Sequence, residues 1–98
     1  MATLTYDSID GSNIYDTLVY ECGISDHEAK MAITDTIANV VFKHADSLNI
    51  ATWELGINTD SYMEMRLSLQ ADITLDSWEK IALFTSELES IGFQIKGL

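Results

Sequence analysis

Two stretches decide the fold: Ala51-Thr52-Trp53-Glu54-Leu55-Gly56-Ile57 and Tyr62-Met63-Glu64-Met65-Arg66-Leu67-Ser68-Leu69. In the first, Ala51, Trp53, Leu55 and Ile57 alternate with Thr52, Glu54 and Gly56. In the second, Met63, Met65, Leu67 and Leu69 alternate with Tyr62, Glu64, Arg66 and Ser68. Successive side chains of an extended chain point to opposite faces, so each stretch predicts a strand with one buried face. Asn58-Thr59-Asp60 between them predicts the turn of a hairpin.

Upstream, Ser25 followed by Glu28 forms a capping-box pattern that opens a helix over residues 26–47. At about 100° per residue, Ala29, Ile33, Ile37, Val40, Val41, His44 and Leu48 fill one arc. Met31, Ala38, Phe42 and Ala45 fill the adjoining one. So wide an apolar surface predicts a helix covered on two sides, by the sheet and by a preceding helix. That shorter helix is expected over residues 13–22, capped by Ser12, stopped at Gly23, with Ile14, Leu18 and Cys22 inward. Downstream, Thr74 or Asp76 caps a third helix reaching Ser90, with Trp78, Ile81, Phe84 and Leu88 inward and Gly92 ending it. Residues 93–96 supply a closing strand, and residues 3–6 offer one more extended segment outside this order. The expected fold is α+β in the order α-α-β-β-α-β, a small antiparallel sheet packed against helices.

A chain of 98 residues can bury roughly 60–65% of its unfolded surface, enough for a single core, so one domain over residues 1–98 is expected. Proline is absent and glycine occurs five times, which leaves no linker. With 47% hydrophobic and 21% charged residues, the chain is no disordered acidic tail. Met1-Ala2-Thr3-Leu4-Thr5-Tyr6-Asp7 lacks the basic and apolar segments of a secretory signal. The longest apolar run, Ile81-Ala82-Leu83-Phe84, is too short to span a bilayer. The lone Cys22 makes no intrachain disulfide and fits a reducing compartment, so the expected location is the cytoplasm.

No constellation for catalysis stands out. His44 lies within the apolar arc, as a hydrogen-bonded core histidine would, and His27 and Asp26 read as polar residues at a helix start. Cys22 has no neighbouring base to lower its pKa. Asp76 and Glu79 fall on an exposed face where water keeps both ionised, which is poor for acid–base work. Asp7-Ser8-Ile9-Asp10-Gly11-Ser12 faintly resembles a calcium loop. Aligning Gly11 with that loop's glycine puts Tyr6 and Thr17 where acidic ligands are required. The expectation is a non-enzyme with no cofactor and no metal.

Charge is the anomaly: sixteen Asp and Glu against five Lys and Arg, net −11. Residues 1–29 carry Asp7, Asp10, Asp16, Glu21, Asp26 and Glu28 without one Lys or Arg. Such a balance repels nucleic acid and anionic lipid and attracts basic proteins, though it also serves plain solubility. In the long helix Glu28, Asp35 and Asp46 fall within about 20° of one line, at separations of about 10 and 16 Å. Lys43 is displaced to the side. In the third helix Asp76, Glu79 and Glu87 share an arc. Ordinary solvated helices interleave Glu with Lys four residues on. Here Lys80 alone is placed to do so. A folded domain of this length is about 32 Å across, a span in which a nucleic-acid strand carries on the order of nine phosphates.

As a whole, the chain resembles the small acidic anti-CRISPR proteins of phages, in particular the DNA-mimicking inhibitors of type I-F surveillance complexes. The resemblance rests on the compact α+β format, the acid-only start through Glu28, and the faces Glu28/Asp35/Asp46 and Asp76/Glu79/Glu87. It is a likeness of format with no diagnostic motif, and antirestriction DNA mimics have the same format. It implies binding, in a host bacterial cytoplasm, to the Lys/Arg-lined DNA site of the large and small Cascade subunits. The phosphate-mimicking residues expected on this basis are Glu28, Asp35, Asp46, Asp76, Glu79, Glu87, Asp7 and Asp10. The alternative is an interaction module that is no mimic, such as an antitoxin or a phage assembly factor, binding through exposed aromatics such as Tyr15, Tyr20 and Tyr62.

Overall fold

In the computed structural model, which describes residues 2–58 and 62–96, the chain opens on a nine-residue strand, β1 (Ala2–Asp10). Helix α1 (Ser12–Asp16) follows and runs into a π-helical turn over Thr17–Glu21; then come α2 (Asp26–His44), β2 (Ile50–Ile57), β3 (Glu64–Ala71), α3 (Ser77–Ile91) and β4 (Gln94–Lys96). The class is α+β as expected, but the order is β-α-α-β-β-α-β, not α-α-β-β-α-β. The two expected strands pair as an antiparallel hairpin. Of the turn between them, Thr59 and Asp60 lie outside the described residues.

The sheet runs β2-β3-β1-β4, every pairing antiparallel. β1, absent from the expected order, is therefore an interior strand. Its pairing with β3 shifts register between Tyr6 and Ile9. The irregularity lets Tyr6 and Ile9, three apart, both point into the core and be fully buried. That spacing breaks the period of two, so the sequence pattern dies after four residues. A second shift, between Ile50 and Thr52 of β2, leaves Ile50 half-buried and turns Ala51 out to solvent.

In β3 the alternation is clean: Met65, Leu67, Leu69 and Ala71 are buried, while Arg66 between them is exposed. With Tyr6 and Ile9 they meet Ile33, Ile37 and Val41 of α2 and Phe84 and Leu88 of α3 in one apolar cluster. The helices thus cover one face of the sheet. The other carries Thr3, Thr52, Glu54 and Arg66, all exposed.

α2 begins as its capping box predicts: the Ser25 Oγ accepts the Glu28 backbone N–H at 3.2 Å. Its buried residues are Ala29, Ile33, Ile37, Val40 and Val41. The adjoining arc is not covered, however. Met31 is 51% and Phe42 67% exposed, and Phe42 rests its ring edge-on against Trp53. The first helix sits at one end and reaches only the start of α2: Tyr15 donates its hydroxyl proton to Asp26. α1 departs from expectation too, since its N-cap position is Gly11 rather than Ser12. The Asp10 carboxylate accepts the Ser12 backbone N–H at 2.9 Å. Past Asp16 the chain widens into the π turn, with Cys22 N–H bonded to the Thr17 carbonyl at 3.1 Å. The five-residue step carries Cys22 off the face shared by Ile14 and Leu18 and leaves it exposed. α3 ends at Gly92, whose φ of 127° is open to glycine alone; a Cβ there would also lie 3.2 Å from Ile14. Among the described residues no helix is long and apolar enough to cross a membrane.

Candidate partner-binding surface

Of the eight expected site residues, five stand free in solvent. Glu28 and Asp35 are exposed, seven residues apart on the side of α2 opposite Ile33 and Ile37, and so about 10 Å apart along the helix. Asp76 and Glu79 are exposed at the start of α3. Asp46 is exposed as well, but α2 ends at His44, and Asp46 lies in the turns that follow. It therefore does not extend the α2 line as a regular helix would require. Among the described residues none of the five carboxylates has a cationic partner within ion-pair distance.

The other three are engaged. Glu87 faces α2 rather than solvent, 2.7 Å from Lys43 Nζ and 3.3 Å from His44 Nε2. The Lys43 hydrogen bond, assisted by His44, holds its carboxyl below the usual range against the opposing effect of desolvation. Lys43, expected off to the side, thus points at α3, because its side of α2 is the one α3 packs on. Asp10 is bound to Ser12 at the head of α1, as described above. Asp7 projects from the open face of the sheet, 3.7 Å from Arg66 and far from helical company. Lys80, expected to be the sole lysine placed four residues after an acid, is not: Lys30 lies 3.4 Å from Asp26 on α2.

Sequence reasoning overlooked two features of this surface. One is a set of tyrosines meeting acids around α1. Tyr15 and Tyr62 stack edge-on with ring centroids 4.8 Å apart, and Tyr62 donates to Asp16 at 2.7 Å. The bond from Tyr15 holds the Asp26 carboxyl low, and the same bond pushes the Tyr15 phenol up to about 12. Tyr62 is likewise raised, first by Asp16. Tyr15 itself is buried, so only Tyr20 and Tyr62 of the three expected aromatics are exposed. The contacts join residues as far apart as Asp16 and Tyr62 and have no signal in local spacing.

The other feature is apolar. Trp78, expected inward, is 58% exposed, and Leu75 and Leu83 are 91% and 66% exposed. The buried line of α3 is Ser77, Ile81, Phe84 and Leu88, with Ser77 receiving the Thr74 N–H at 2.9 Å. Ser77 and Trp78 are adjacent, about 100° apart on the helix, so the small serine faces the core and the indole faces out. Among the described residues no cluster of three His, Cys, Asp or Glu is placed to hold a metal ion. No family model matches the chain, nor does any curated protein or solved structure.

Proposed function

We propose that the chain is a DNA-mimicking inhibitor that binds the basic DNA groove of a nucleic-acid-targeting complex, a type I-F CRISPR surveillance complex by resemblance, and keeps target DNA out. The observation that carries this reading is that Glu28 and Asp35 on α2 and Asp76 and Glu79 at the start of α3 all stand in solvent, with no cation within ion-pair distance among the described residues. The molecule is 43 Å in its longest dimension, more than the 32 Å scaling value, and a nucleic-acid strand carries about thirteen phosphates over that span. A net charge of −11 is of matching size. A rigid carboxylate surface also avoids the ordering cost that a disordered acidic tail bears on binding.

The deciding measurement is a mobility-shift competition with purified type I-F complex. Pre-bound protein should prevent capture of target duplex, and capture should return with rising salt as screening shortens the reach of the charges. Glu28→Lys with Asp35→Lys should abolish inhibition, since like charges opposed at an interface cost several kcal/mol. Simultaneous binding of protein and DNA would remove the mimicry. The exposed Trp78 and Leu83 favour a second reading, an interaction module that binds through apolar contact. In that case the double reversal would bind normally and added salt would have little effect.

A further inference from the structure

We infer that the outward side of α3 is a docking surface for a protein partner with an apolar groove rimmed by Arg and Lys, Trp78 being the side chain that enters the groove. The inference holds whether or not that partner is a DNA-binding complex. α3 is apolar on two sides. Ile81, Phe84 and Leu88 are buried in the core, whereas Trp78 and Leu83 point to solvent, with Ala82 exposed between them and Leu75 exposed in the turn before the helix. At about 100° per residue Trp78, Ala82 and Leu83 share the arc turned away from the core, spread over about 140° with Glu79 among them. A helix apolar on more than one side is ordinarily covered on more than one. Here the sheet and α2 cover only one.

Charge selects the occupant. Asp76, Glu79 and Glu89 are exposed around the same apolar residues, and Lys80 is the only base in α3. A second copy, in either direction, would set these acids against their own kind, between chains that each carry −11. A groove with a basic rim matches both the indole and the carboxylates. An aromatic anchor in a desolvated centre with charges at the margin is the usual anatomy of a binding hot spot.

The test uses a fluorescein-labelled synthetic amphipathic peptide of Leu and Arg, a matched Leu and Glu peptide, and fluorescence anisotropy with the full chain. The Leu/Arg peptide should bind and the Leu/Glu peptide should not. Trp78→Ser with Leu83→Ser should weaken binding tenfold or more, while Glu54→Gln on the open sheet face should leave it unchanged. Asp76→Lys with Glu79→Lys should exchange the preference toward the Leu/Glu peptide. Circular dichroism and urea midpoints establish that each variant is folded, and the charge exchange stands as a second probe should the serine pair unfold. No binding of the Leu/Arg peptide, or equal binding by the Trp78→Ser, Leu83→Ser protein, would overturn the inference. Sedimentation equilibrium is the companion measurement. The wild type should stay monomeric at hundreds of micromolar, and self-association abolished by the same serine pair would overturn the inference in favour of a second copy.

Discussion

α2 and α3 lie on the same face of the same sheet and bury apolar lines of similar length, yet their outer sides differ. α2 keeps Ala29, Ile33, Ile37, Val40 and Val41 inside and sets Glu28 and Asp35 directly opposite them. α3 buries Ile81, Phe84 and Leu88 and then exposes Trp78 and Leu83 as well. The outer side of α2 also exposes Met31 and Phe42 beside those acids, but there the Phe42 ring leans edge-on against Trp53 of the sheet. Each helix therefore has one apolar side for the core and a second apolar set in solvent. The exposed ring of α2 has an aromatic partner, and among the described residues that of α3 has none.

The sharpest way to break that contrast is to truncate both sides of α3. Phe84 is fully buried, stacked on Tyr6 at 5.7 Å and on His44 at 5.4 Å. Phe84→Ala should cost about 3–5 kcal/mol in urea unfolding, as large-to-small changes in cores do. Ile37→Ala, the matching change in α2, should cost about 2–5 kcal/mol. Trp78→Ala should stay within about 0.5 kcal/mol, like other surface changes. If Trp78→Ala cost as much as Phe84→Ala, the indole would belong to the core and the two-sided description of α3 would fall.

The helix starts contrast in the same way at a smaller scale. Ser25 has extended backbone, and its hydroxyl caps α2. Asp76, at the corresponding position of α3, is already helical and makes no side-chain cap. Ser25→Ala should therefore lower stability by about 1 kcal/mol, whereas Asp76→Ala should change it by less than half as much, read from paired urea midpoints.

These contrasts mark where the sequence was legible. The core arc of α2, its Ser25 cap and the alternation of β3 follow local rules with a constant period and could be read directly. In β2, by contrast, the shift between Ile50 and Thr52 leaves Ala51 exposed, and Ile57, also expected inward, is exposed as well. β1 could not be read directly, because the irregularity between Tyr6 and Ile9 resets its alternation halfway along. Cys22 was misplaced for a related reason: the π turn changes the helical step just before it. Trp78 was assigned inward because hydrophobicity alone cannot choose between two apolar sides of one helix. Ser77 takes the inward place because its hydroxyl is needed by the Thr74 N–H, a contact that periodicity does not encode. Among the acids, exposure of Glu28 and Asp35 followed from the α2 arc. The engagement of Glu87 depended on how α3 lies against α2, which only the tertiary fold determines.

That engagement provides the most delicate test of how the two helices are joined. Glu87 bridges them through Lys43 at 2.7 Å and His44 at 3.3 Å, and its carboxyl is held below the ordinary range by the Lys43 bond first. A carboxyl whose pKa is lower folded than unfolded binds its proton less readily in the native state. Its contribution is therefore complete above the unfolded carboxylate value, near 4.3 for Glu, and disappears as pH falls through the lowered native value. Other acids add to the same fall, Asp26 among them, since its bond from Tyr15 lowers it too. The discriminating quantity is thus the difference between wild type and Glu87→Gln. That difference should be level above about pH 5 and shrink below about pH 4, the region around the Glu reference value. The change should be small, because the Lys43 side chain is 66% exposed and exposed pairs are screened and entropically costly. Lys43→Met should reproduce most of the altered pH profile and Lys80→Met none of it. If the difference between wild type and Glu87→Gln does not vary with pH, the bridge contributes nothing through charge, and the helices are held by apolar packing such as that of Phe84 on the His44 ring.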